Sequence, residues 1–267
     1  MKSPLRSPLL GALRCEILKA RRSRVPVLTA LGFSLAPMMA GLFMMIMKDP
    51  DGARRMGLLR AKATMFAGAA DWPTFLGVVT QAVAVGGSLL FALLVAWSFG
   101  REFADRTLKT VLAVPTSRSA IVLAKLLVMS GTALVICVWV FALALGVGLV
   151  VGLPGASKAL FVAAAGRTLL TAALTVALLT PVAFIAGVGR GYMAPLGFAI
   201  LTLFLGQIAA AIGWGAWFPW TVPALFSGLA GPEGSGLGAW SFALVLLVSA
   251  AGLGATLAWW RFADHTT

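Results

Sequence analysis

Six stretches of this 267-residue chain run for more than twenty residues with almost no charged side chain, and no soluble fold accommodates such a pattern. They lie at 25–47, 76–100, 122–152, 166–189, 192–214 and 237–260. At about 1.5 Å rise per residue each is long enough to cross a hydrocarbon layer about 30 Å thick. Lipid offers backbone N–H and C=O groups no partner, so a single apolar segment crosses it as a helix. Composition agrees: with 60% hydrophobic and 11% charged residues, too few polar side chains remain to clothe a water-exposed surface. The expected fold is an all-α integral membrane protein of about six transmembrane helices in one domain, 1–267.

An even number of spans puts both termini on one side of the membrane. Lys and Arg concentrate on that side: Lys2, Arg6, Arg14, Lys19, Arg21, Arg22 and Arg24 before the first span, then Arg101, Arg106, Lys109, Arg118 and Lys125 around the second connection, with Arg190 and Arg261 later. That makes fourteen, against seven on the other side (Lys48, Arg54, Arg55, Arg60, Lys62, Lys158, Arg167). The positive-inside rule therefore predicts a multi-pass protein of a bacterial-type cytoplasmic (inner) membrane with both termini cytoplasmic. The net charge of +13 is spread between apolar runs, which suits lipid headgroups and topology better than nucleic acid. The basic start followed by an apolar run resembles a signal peptide, but 23 apolar residues without a convincing cleavage site predict an uncleaved first span. Cys15 and Cys137 fall in a basic stretch and an apolar run, which predicts two free thiols.

Several chemistries lack their reagents. There is no G-x-x-x-x-G-K-[ST] loop to cradle a nucleotide, so any ATP and Mg would be bound by another chain. The single histidine, His265, has no Asp, Glu or Cys cluster beside it in sequence, which removes metal and histidine-based catalysis. The spans hold essentially no carboxylate, which disfavours an ion-coupled carrier. Their strongest polar groups are Gln81 and Gln207, read first as hydrogen-bonding groups between helices and second as the lining of a substrate path. Gly86-Gly87, Pro181 and Pro195 are hinge candidates, although Gly and Pro are common in membrane helices. Trp214, Trp217 and Trp220, set among Pro219 and Pro223, predict an interfacial or re-entrant segment before the last span.

Two segments outside the spans are amphipathic. On a wheel, Leu9, Leu10, Leu13, Ile17 and Ala20 share one arc, opposite Arg14, Cys15, Glu16, Lys19 and Arg22, which predicts within 1–24 a helix lying along the cytoplasmic headgroups. The chain would then turn into the membrane at Pro26. In the cytoplasmic loop 101–121, Glu102, Asp105, Arg106, Lys109 and Thr110 fall on one face and Phe103, Leu108, Val111 and Leu112 on the other. Glu102–Arg106 and Asp105–Lys109 stand at i,i+4 with the acid first. Pro115 ends that helix, and Thr116-Ser117 can cap the next. A polar face of mixed sign suits a protein partner, whereas the plainer reading is a connector that obeys the charge rule.

These residues carry a resemblance. The run Phe99-Gly100-Arg101-Glu102-Phe103-Ala104-Asp105-Arg106-Thr107, followed by Leu112, Pro115, Ser117-Arg118 and Lys125, resembles the ABC-2-type transporter permeases, in particular six-span members that pair with a separate ATPase. Arg106 stands where a Gly is common in that family. The resemblance implies a permease without enzymatic activity of its own and a homodimer resting on two ATP-binding cassette subunits. It implies export of an amphiphilic or apolar cargo such as a drug, a peptide antibiotic or a lipid. It also implies a coupling surface of Glu102, Asp105, Arg106, Lys109, Pro115 and Arg118, with spans one, two and five facing the dimer and the pathway. The rival readings are a self-contained transporter or channel, and a membrane-embedded enzyme or assembly factor.

Overall fold

The structure, a computed structural model, describes residues 8–49, 69–105, 107, 116–228 and 236–263. Arg106, Lys109, Pro115 and His265, and the 50–68 part of the loop after the first span, lie outside the described residues. The expected class holds: the described secondary structure is helical, with six helices long and apolar enough to cross a membrane.

Helix α1 (Pro8–Arg22) precedes α2 (Val25–Lys48), α3 (Trp72–Ala104) and α4 (Arg118–Val151). Next come α5 (Lys158–Ala177) and α6 (Leu179–Val188), which together form the fourth span, then α7 (Met193–Ala211), the short α8 (Val222–Phe226) and α9 (Ala239–Phe262). Local chemistry sets these boundaries. Pro26 stands in the first turn of α2, where its missing N–H costs nothing. Asp71, Ser117 and Ser157 cap α3, α4 and α5, each side chain accepting a backbone N–H three residues on. Gly152, at φ 67°, ends α4 in the left-handed conformation that glycine adopts without strain.

The helices run past the apolar runs that announced them. The clearest difference is α5, helical from Lys158 although the apolar run was placed at 166–189. Ser157 caps an alanine-rich stretch, and a charge interrupts hydropathy without interrupting a helix. Arg167, expected at the membrane edge, therefore stands nine residues inside α5.

Helix α3 is central, packing on α2, α4, α5, α6 and α7. Trp72, Phe75, Val79, Phe91 and Phe99 run down its length, all fully buried. Small residues set the closest crossings: the Trp72 ring lies where a side chain at Gly148 of α4 would be. On α9, a Cβ at Gly252 would stand 2.5 Å from the Pro181 nitrogen. Pro181 has no N–H, so the Ala177 carbonyl loses its helical partner and the span breaks at Leu178. The Thr180 hydroxyl lies 3.2 Å from that carbonyl and 2.7 Å from the Ser249 carbonyl of α9, where it can serve either.

The tryptophan-rich segment forms two 3-10 turns (Gly215–Trp217 and Pro219–Thr221) leading into α8 and folds back on the bundle, burying Thr221, Val222 and Ser227. Leu28, Leu31, Leu35 and Met39 of α2, and Ile200, Phe204 and Ile208 of α7, are exposed as lipid-facing residues must be. Cys15 is exposed, Cys137 is buried, and both are free thiols.

Candidate functional site

A buried charge cluster occupies one end of the bundle, where α1, the end of α3, the start of α4 and the end of α9 meet. Lys125 stands seven residues into α4 and is 1% exposed. An ammonium in such a place needs carboxylates and further acceptors, because desolvating it alone costs several kcal/mol. It finds Glu102 Oε1 at 2.8 Å, Glu16 at 3.4 Å and the Ser98 carbonyl at 2.9 Å. Lys19 completes the group, 2.7 Å from Glu16 Oε1 and 3.0 Å from Glu102 Oε1. Two acids and two bases thus balance in a pocket walled by Trp97, Ser98 and Arg101. Glu102 Oε2 is buried without a hydrogen bond.

Charge keeps Lys19 protonated. Burial pulls its pKa down, but the Glu16 hydrogen bond and the charges of Glu102 and Glu16 outweigh it and hold the pKa above 10.5.

This geometry changes two expectations. Helix α1 turns Glu16 inward against α4, with Leu9, Ala12, Leu13 and Ala20 part-buried beside it, and leaves Leu10, Ile17 and Leu18 outward. The wheel puts Glu16 on the solvated arc; the counter-charge for Lys125 decides otherwise. Glu102, expected on a helix of its own with its charge offered outward, belongs to the last turn of α3 and is 3% exposed, consumed by the two lysines.

Asp105 caps α3 just beyond, its carboxylate accepting from Arg101 Nε at 3.1 Å. The Arg101 guanidinium lies 5.7 Å from the Trp97 ring centre. Arg118, at the other end of the connection, donates to the carbonyls of Trp260 and Arg261 at 3.2 and 3.3 Å, which suits a cation at the C-terminus of α9. Gly100 admits a further contact, since a Cβ there would stand 2.9 Å from the Gly191 backbone in the α6–α7 turn. Both roots of the 105–117 connection are thus tied into the bundle, one through the charge cluster and one through α9.

Of the other sequence candidates, Gln81 accepts a hydrogen bond from the Ser227 hydroxyl after α8, near the opposite end of the bundle. Gln207 is exposed on α7, and the two amides are not brought together. Glu16, Lys19 and Lys125 were missed as one unit. The signal was a lysine inside an apolar run with no acid one turn away, a residue that requires a carboxylate from elsewhere. No group of three or more metal-ligating side chains occurs among the described residues.

Six apolar helices around a buried ionic junction at one end define a multi-pass membrane protein. Residues 12–206 match the family model described as ABC-2 family transporter protein, and the chain belongs to that family. It is also similar to the bacitracin transport permease protein BCRB of Bacillus licheniformis, 26% identical over 179 residues, covering 67% of this chain and 85% of that protein. It is accordingly a permease subunit of an ABC transporter.

Proposed function

We propose that this chain is the membrane subunit of an ATP-driven exporter, working as a homodimer over two ATPase subunits that bind the ATP and Mg. The observation that carries this reading is the Glu16–Lys19–Glu102–Lys125 cluster at the root of the 105–117 connection. A connection anchored this way moves with α1, α3 and α4 as one body, so a push from a partner reaches the spans instead of being absorbed locally. Glu102 acts as an anchor, and Asp105, Arg106 and Lys109 present charge to the ATPase. Positive-inside asymmetry sets the charge cluster and both termini in the cytoplasm of a bacterial-type inner membrane. The spans' lack of carboxylates favours amphiphilic or apolar cargo, and the likeness to a bacitracin permease favours a peptide antibiotic.

Charge reversal at Asp105 or Lys109 tests the docking. Losing a partner at a buried charged interface costs about 2–5 kcal/mol, whereas a solvated face loses under about 1 kcal/mol. The expected result is loss of ATPase co-purification with the permease still inserted at normal abundance, while reversal at Lys158 changes nothing. Unaltered association and transport would reduce the connection to a linker.

A further inference from the structure

A second polar feature lies toward the opposite end of the bundle, remote in the chain from the charge cluster. Arg167 of α5 stands nine residues past Lys158, about 14 Å along the helix at 1.5 Å per residue, within a span. An arginine there is costly in lipid unless it faces protein, water or a ligand. Arg167 is exposed, its guanidinium makes no hydrogen bond or ion pair with any described residue, and its Nη1 reaches over Gly228, where a Cβ would stand 2.6 Å from it. Gly228, at φ +79°, stands in the left-handed region that glycine adopts without strain.

Arg167 lines a cavity of about 360 Å³ between α3, α5 and the segment after α8, together with Pro73, Thr74, Leu76, Leu160 and Ala164. Polar pairs brace its floor. The Thr80 and Thr168 hydroxyls, both buried, are 2.8 Å apart, and buried Ser227 donates to Gln81. Thr74, half-buried on the wall, has a hydroxyl engaged by no described group. The cleft thus combines a guanidinium with no counter-ion among the described residues, a hydroxyl donor and an apolar flank.

We propose that this cleft binds the oxyanion head group of an amphiphile, with Arg167 as the anion ligand, Thr74 as a donor and the Leu76–Leu160 wall against the apolar tail. Guanidinium geometry suits a phosphate or carboxylate through two parallel N–H bonds. The proposal deepens the export reading by giving the cargo path an anion-selective station on the side away from the ATPase.

The test uses the full-length chain in phosphatidylcholine nanodiscs, with radiolabelled hexadecyl phosphate as probe and hexadecanol and inorganic phosphate as competitors. The expected result is saturable binding that Arg167→Gln weakens about tenfold or more, as losing a charged hydrogen bond does. Arg167→Lys, which keeps the charge but not the two parallel N–H bonds, binds more tightly than Arg167→Gln and less tightly than wild type, which separates lost charge from misfolding, and Lys158→Gln, at the start of the same helix, leaves binding unchanged. Equal binding by wild type and Arg167→Gln, or equal competition by hexadecanol, would overturn the proposal. Displacement by inorganic phosphate at the same concentration would overturn the amphiphile and leave a soluble anion as ligand. No ATPase is present, so failure here leaves the export reading standing, and failed ATPase docking leaves this binding intact.

Discussion

At the scale of single residues, the buried ionic cluster makes the sharpest demands. Glu102 accepts both lysines on one oxygen, so Glu102→Gln removes the charge they share and leaves Lys125, 1% exposed, with Glu16 as its remaining carboxylate among the described residues. Removing one partner of a buried pair costs about 3–5 kcal/mol, whereas removing both can be nearly neutral. Thermal unfolding in detergent should show Glu102→Gln and Lys125→Met each strongly destabilised, and the double variant less so than their sum. Simple additivity would mean that the cluster is no unit. The pH dependence through Lys19 has a definite sign. Its pKa is raised from 10.5, so its contribution is fully present below pH 10.5 and is lost as pH climbs through the raised value. A Lys19→Met variant should therefore differ from wild type in stability at neutral pH, with the gap closing only in strong alkali. Sequence revealed two corners of this cluster, Glu102 and Lys125, through the motif, but pairing them with Glu16 and Lys19 is a tertiary fact across more than eighty residues of chain, which helical periodicity does not encode.

At the scale of elements, length and apolarity located all six spans, because the bilayer imposes a minimum run that sequence displays directly. Boundaries followed caps instead: Asp71, Ser117 and Ser157 start their helices outside the apolar runs. The break at Leu178 was half legible. Pro181 was visible as a hinge candidate, but its seat against Gly252 was not, since crossing points depend on which helices become neighbours. That seat yields a prediction. A leucine at Gly252 would drive α9 off the proline, where even a Cβ stands 2.5 Å from its nitrogen. Gly252→Leu should lose about 1–3 kcal/mol, as overpacking does, seen as a lower unfolding temperature, whereas Gly254→Leu, with open space around it, should stay near wild type. Equal effects at both positions would mean that α6 and α9 are not in tight contact.

At the scale of the molecule, charge asymmetry and ionic anchoring point the same way. The end of the bundle holding α1 and the end of α9 is the end the Lys and Arg count assigns to the cytoplasm. Reporters fused after residue 24 and at the C-terminus should read cytoplasm, and one near residue 230 the exterior; an outward C-terminus would overturn the arrangement. Sequence disclosed the class and family of the molecule through its spans and the 99–125 motif. The cleft around Arg167 stayed hidden, because its walls come from three distant segments and the arginine counted among the charges at the outer edge of the fourth span. On the proposed reading, this chain converts work done by a separate ATPase into transport. The most direct test is ATP hydrolysis by the purified permease in proteoliposomes, alone and with its ATP-binding cassette partner. No hydrolysis is expected from the permease alone and, with the partner, ATP-dependent movement of an amphiphilic cargo is expected. Hydrolysis by the permease alone, or transport undiminished without the partner, would contradict that reading.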